Sequence, residues 1–328
     1  MKNWQENERS LDSIMNRNKN VVARPQKNPS YKNPGLFHRI WIHRESYLLM
    51  LPFLVLFSVF TLLPIFSAIT LSFTSFNMLE MPRWVGWLNY IRLLLDDQIF
   101  LQVLKNTLVF AFITGPISYV LSFMLAWFIN DFGPTMRSFL TLVFYGPTLA
   151  GNVFFIWTFI FSGDYYGLLN GWLINLGILR EPIDWIGDTN YVLSVVLVVQ
   201  IWLSFGAGFL AFIAGFQSID RSLYEAAVID GVRNRWQELW YITLPSMAPQ
   251  LLFGAVMQIG ASFGVSEVIK AVAGFPSRGY TADTIGTYIN DYGVVRFEMG
   301  YACAIAVVLF LMMVGTNKVI MKLLKGLL

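Results

Sequence analysis

Cysteine is almost missing from the chain: Cys303 is the one such residue among 328. An intrachain disulfide framework and a cysteine metal cluster are thereby excluded. Cys303 lies inside an apolar stretch and reads as a small packing residue. Histidine is scarce too. His38 and His43 both precede the first apolar stretch, so no buried histidine ligand set is available. The dipeptide Gly-Lys never occurs, which removes the phosphate-binding loop that would grip ATP. The largest deficit is charge. Asp, Glu, Lys and Arg make up 13% of the residues, against about 25% in an ordinary soluble domain. A net charge of +3 gives no electrostatic footprint for nucleic acid.

What is present is apolar and clustered. Six stretches hold no Asp, Glu, Lys or Arg: Tyr47–Leu79, Asn106–Asn130, Ser138–Gly163, Thr189–Ile219, Leu239–Ser266 and Met299–Asn317. All 43 charges fall in the other 166 residues, at 26%, a soluble-protein density. About 20 apolar residues at 1.5 Å rise cross a hydrocarbon core of roughly 30 Å. Lipid offers no water to satisfy an open strand edge, so the spans are read as helices. Strands of a barrel would alternate in polarity every other residue, and no such segments occur. The reading is an all-α polytopic membrane protein with six transmembrane helices.

Lys and Arg positions orient it. Sixteen of the 23 lie in residues 1–46, at Arg137, in the 218–244 connection and from Lys318 onward. Both termini and the two short connections are therefore expected in the cytoplasm, and the connections near 80–105, 164–188 and 267–298 outside. Residues 1–46 are too polar for a signal peptide. They read as a cytoplasmic tail with an interfacial helix at Leu36–Tyr47, ahead of a transmembrane domain over 47–328. No internal repeat is evident.

The cytoplasmic connection carries the most informative run, Asp220-Arg221-Ser222-Leu223-Tyr224-Glu225-Ala226-Ala227-Val228-Ile229-Asp230-Gly231. Ser222-x-x-Glu225 has the form of a capping box, and Gly231 suits a helix stop. A helix over Leu223–Asp230 is expected, with Leu223, Ala226 and Ala227 on one face. A second short helix is expected at Trp236–Tyr241, with Leu244-Pro245 opening the fifth span.

Glu225-Ala226-Ala227, Gly231 and Ile242-Thr243-Leu244-Pro245 resemble the EAA signature of permease subunits in ABC importers. Asp230, Trp236, Trp240 and Tyr241 resemble the carbohydrate branch, the maltose-importer type. Trp84-Val85-Gly86-x-x-Asn89-Tyr90, Asn106-Thr107-Leu108-x-Phe110 and Gly300-Tyr301-Ala302-x-Ala304 agree. The resemblance covers about residues 47–325. It implies a type I ABC importer permease fold in a bacterial or archaeal cytoplasmic membrane, and no catalysis by this chain. It implies a coupling helix at 222–231, in which Leu223, Glu225, Ala226, Ala227, Asp230 and Gly231 meet an ATPase subunit. It further implies a second permease, with a heterodimer expected, two ATPase copies carrying ATP and Mg, and an extracytoplasmic solute-binding protein. The chain itself would bind no cofactor. One departure is visible: Val232–Tyr241 places ten residues between Gly231 and Ile242, where the family usually has nine.

Polar groups in spans are costly and tend to face a bundle interior or cavity. Gln200 and Ser204 are spaced i,i+4 in the fourth span, and Gln258 and Ser262 likewise in the fifth. They would serve either substrate or interhelical hydrogen bonding. Aligned from the EAA loop, Gln200, Leu203, Ser204, Gln258 and Ser262 resemble the family's midmembrane sugar positions, with Ala207 where the family has a tyrosine. Such an alignment implies a wider site for a different or larger glycan. Gly260-x-x-x-Gly264 reads as a close helix-packing face, and Glu267 as a partner for Lys270. The reading is an importer permease for a sugar or oligosaccharide. An ABC permease for another small solute remains open, as does a stand-alone secondary transporter. The last would call for inverted repeats or buried ionisable residues, and neither is seen.

Overall fold

The computed structural model describes residues 44–151 and 153–327. The expected tail and most of the expected interfacial helix lie outside them. The chain divides at Pro64 into two compact units, the second running from Ile65 onward.

Helix α1, Arg44–Leu71, is 28 residues long. Its middle widens into a π-turn over Ser58–Leu62. Its end comes eight residues before the charge-free stretch does. There Ser72 Oγ donates to Ile69 O at 2.6 Å and Thr74 Oγ1 to Leu71 O at 2.8 Å. Short hydroxyl side chains of this kind compete with the helical ladder. The backbone then forms a two-stranded antiparallel ladder, β1 (Thr74–Ser75) with β2 (Arg83–Trp84), Thr74 opposite Trp84. The all-α expectation misses this small element. Asn77 makes it: its Oδ1 accepts from Leu79 N and Glu80 N and folds the turn.

Helix α2 is Leu88–Ile91. Helix α3, Gln98–Asn130, runs 33 residues, about 50 Å at 1.5 Å per residue. It begins eight residues before its charge-free stretch, because Asp97 caps it by accepting from Phe100 N at 2.9 Å. The third stretch is not one helix. It forms α4, Pro134–Leu149, and α5, Phe154–Ile160, with the helix left at Ala150 and Gly151. Helix α6 is Leu168–Asn175. The fourth stretch is interrupted as well: α7, Val192–Trp202, stops, and α8, Ala207–Ser218, restarts after Gly206. Helix α9 is Arg221–Ile229. Helix α10, Arg235–Ser246, and α11, Ala248–Phe263, bend by 80° at Met247. After the bend a new helix starts at Ala248-Pro249, and the helix before it is longer than the expected Trp236–Tyr241. Helices α12 (Ser266–Val272), α13 (Ile285–Asn290) and α14 (Met299–Leu327) complete the chain. Among the described residues four helical segments, α1, α3, α7 with α8 (Val192–Ser218) and α14, are long and apolar enough to cross a membrane, or six if the bent pairs α4–α5 and α10–α11 each make one span.

Helices α3, α8 and α11 pack together at the centre of the second unit. Phe209, Phe212, Phe216, Met247 and Leu251 are buried there with Ala126 and Ile129. In lipid, association depends on close packing rather than on removal of apolar surface from water. The tight approach is made by Gly208 and Gly254: a Cβ on Gly208 would lie 3.4 Å from Gly254 O, and one on Gly254 would strike the Phe212 ring. Gly260 meets nothing within 4 Å, and Gly264 meets only the backbone of its own helix. The packing face thus lies at Gly254, against the expectation for Gly260-x-x-x-Gly264.

Candidate functional site

Helix α9 stands on the connection between α8 and α10. Asp220, not Ser222, caps it, its Oδ1 accepting from Ser222 N at 3.0 Å. That backbone hydrogen bond holds the Asp220 carboxyl below the usual carboxylate range. The expected capping box does not form, because the helix begins two residues earlier than expected, at Arg221. Its C-terminus closes as expected. Gly231 has φ +93°, Gly231 N donates to Val228 O at 3.2 Å, and Val232 N donates to Ala227 O at 2.9 Å. This paired closure needs a left-handed residue, which glycine accepts at little cost.

The six residues singled out on this segment do not share one face. Ala227 is buried, while Leu223, Glu225, Ala226, Asp230 and Gly231 are exposed. Ala227 turns inward beside Tyr224, whose hydroxyl lies 2.9 Å from Thr243 Oγ1 in α10. Leu223 and Ala226 remain outward, beside the exposed Val228 and Ile229. After Gly231 the turn is fixed by Arg233 N to Gln237 Oε1 and by Gln237 N to Asn234 Oδ1, both 2.9 Å.

The α3–α4 connection meets the same turn. Arg235 forks onto Asp131, with Nη2 to Oδ1 at 2.7 Å and Nη1 to Oδ2 as its second arm. Trp236 packs on Trp127 with ring centroids 5.2 Å apart. Arg137 donates to Asn130 O at 3.0 Å and Phe132 O at 3.1 Å, satisfying carbonyls at the end of α3.

The polar residues within the spans are all buried: Gln200, Ser204, Gln258 and Ser262 are 7% exposed or less. Gln200 Nε2 donates to Ala261 O at 3.2 Å, joining α7 to α11. Leu203, half-buried, and Ser204 occupy the break between α7 and α8. Ser204 Oγ donates to Ile201 O at 2.5 Å. Gln258 and Ser262 line a different space, a groove of about 290 Å³ between α3, α11 and α14, with Gly115, Tyr119 and Phe263. Ser262 Oγ donates to Gln258 O at 2.7 Å, and Gln258 Nε2 is buried without a partner. Gln200 of the first pair thus bonds the backbone of α11 while Ser204 bonds Ile201 O, and the second pair, on α11 itself, lines the groove.

At the Asp97 end of α3 the three agreeing motifs serve the framework. Asn89 Nδ2 donates to Ser72 O and Thr74 O. Asn106 Nδ2 reaches the carbonyls of Tyr280, Thr281 and Asp283 at 3.2, 3.0 and 3.0 Å. Thr107 Oγ1 accepts from Ile285 N at 2.9 Å. A Cβ on Gly300 would strike Thr74 O. Asp97 Oδ2 accepts from the hydroxyls of Tyr288 and Tyr301, each at 2.7 Å. Burial pushes the Tyr288 phenol above its ordinary range. Arg92 pairs with Glu298 at 2.6 Å, and that hydrogen bond raises the guanidinium further. Glu267 pairs with Lys270 at 3.1 Å, as expected. Sequence reasoning missed Asp97 and the Arg235–Asp131 pair. An Asp ahead of an apolar run signals the first as a cap, whereas nothing local joins positions 104 residues apart.

No family model matches the chain. It is 31% identical over 276 residues to the probable ABC transporter permease protein YesP of Bacillus subtilis (strain 168), covering 82% of this chain and 86% of that one. It is 32% identical over 277 residues to the lactose transport system permease protein LacF of Rhizobium radiobacter, covering 82% and 90%. The fold is similar to a crystal structure of a bacterial ABC transporter involved in the import of the acidic polysaccharide alginate. That likeness has a TM-score of 0.67 and 24% identity, covering 88% of this chain and 98% of the other. With relatives above 30% identity along four-fifths of its length, the chain belongs to the permease proteins of ABC transporters.

Proposed function

We propose that the chain is one permease subunit of a binding-protein-dependent importer of a sugar or oligosaccharide. The observation that carries this reading is α9, an exposed helix closed by Gly231 on the basic side of a permease. Leu223, Glu225, Ala226, Asp230 and Gly231 offer the surface for an ATPase subunit, and Ala227 holds the helix to its own chain. ATP and Mg belong to that partner. Domain closure there moves α9, and the spans switch between inward and outward access. Two ATPase copies imply two such helices, hence a second permease, which we take to be a different chain. The six charge-free stretches support six spans, the basic-residue asymmetry supports cytoplasmic termini, and the family supports a bacterial or archaeal membrane. Residues 1–46 then form the cytoplasmic tail.

Neutral polar groups favour a hydroxyl-rich solute. Gln200, Leu203, Ser204, Gln258 and Ser262 are our substrate residues, with the α7–α8 break supplying open backbone. Irregular backbone at membrane depth is tolerated where it lines a cavity or is buried in protein. Several relatives carry carbohydrate names, among them the lactose permease and an arabinooligosaccharide permease of Bacillus subtilis (strain 168). A related fold was solved in complex with an alginate pentasaccharide-bound periplasmic protein. Both support a solute-binding protein as the donor.

The test is uptake and binding-protein-stimulated ATP hydrolysis by the copurified complex. Gly231→Val, strained at its positive φ, and Glu225→Lys should assemble yet lose both activities. Normal transport and stimulation in both variants would remove the coupling assignment.

A further inference from the structure

We infer that the Arg235–Asp131 fork, seated over the Trp236–Trp127 contact, is a joint that carries motion of α9 into α3. This inference rests on the coupling reading above. Helices α9 and α10 are tied to each other by the buried Ala227, the Tyr224–Thr243 hydrogen bond and the Asn234–Gln237 turn. Adjacent residues of α10 grip the end of α3 at two positions four residues apart, Trp127 in its last turn and Asp131, its C-cap, which keeps helical backbone angles. Positions four apart lie on one helix face, so the grip fixes rotation as well as position. Arginine's planar fork adds the direction that a lysine point charge would lack.

Asp131 also sits where a carboxylate is unwelcome, at a helix C-terminus, and the guanidinium offsets it. The pair is exposed, at 61% for Arg235 and 33% for Asp131. Pairs this exposed contribute little to stability, so its use is orientation. Helix α3 then reaches the opposite end of the unit, where Asp97, Asn106 and Thr107 hold the 280–301 segment. A push at Asp131 therefore arrives at that segment through a single continuous helix. Arg235 and Asp131 are positioning residues; neither needs to touch substrate or nucleotide.

The test uses the full importer in lipid vesicles with its binding protein. Asp131→Ala and Arg235→Ala should leave assembly and unstimulated ATP hydrolysis unchanged. Transport per ATP hydrolysed should fall about fivefold or more, the size of a typical coupling effect. The exchange Asp131→Arg with Arg235→Asp should recover at least half. Full transport per ATP in the single variants overturns the joint, as does a loss that the exchange leaves unrecovered. Gly231→Val separates the two readings. If it uncouples while the pair variants do not, only the joint fails; if it too stays coupled, the coupling reading fails first.

Discussion

Gln258 is the residue whose surroundings say most about cargo. Its Nε2 donor is buried in an apolar groove without an acceptor. An unmade hydrogen bond of this kind costs about 1–3 kcal/mol, a cost that a hydroxyl-bearing ligand would relieve. Gln200 differs, since its amide is already spent on Ala261 O. Gln258→Ala should therefore raise the half-saturating substrate concentration with little change in assembly. Gln200→Ala should weaken uptake by loosening α7 against α11. Unchanged uptake affinity in both variants would remove them from the site. Asn106 carries the opposite lesson: an amide inside a charge-free stretch invites a ligand role, yet its donors are consumed by the 280–283 backbone.

At the scale of elements, the centre of the second unit depends on two glycines rather than on bulky side chains. Gly254 faces the Phe212 ring and Gly208 faces Gly254. Gly254→Ala would force that ring and α8 outward, and overpacking of this kind costs about 1–3 kcal/mol. The thermal midpoint of the purified complex should fall accordingly, whereas Gly260→Ala, which meets open space, should leave it unchanged. Equal midpoints for the two variants would refute the assignment of the packing face. Both glycines precede an alanine in the same charge-free stretch, and the arrangement of helices distinguishes them. The same holds for the spans. Charge-free stretches locate all six candidate segments, yet they overrun α1, fall short of α3 and pass through the breaks in the third and fourth. Lipid solubility depends on composition, while helix ends depend on caps such as Asp97 and on hydroxyls such as Ser72.

At the scale of the whole molecule, orientation is the open question that the basic residues address. Cys303 is buried and is the one cysteine present, so single cysteines can be introduced and labelled with a membrane-impermeant maleimide. In intact cells Asn190→Cys should label and Ser222→Cys should not; permeabilised cells should label both. The reverse pattern would invert the topology.

Membrane class, family, and the place and glycine stop of the α9 helix were legible along the chain. These follow from composition, from local hydrogen-bonding chemistry and from short spacings, all of which act along the chain. The packing of distant segments sets the rest: Ala227 faces inward, Gln200 is spent on the α11 backbone while Gln258 lines the groove, and Arg235 grips Asp131. Each of those depends on which segments lie side by side, and residues separated by 104 positions carry no local mark of their contact.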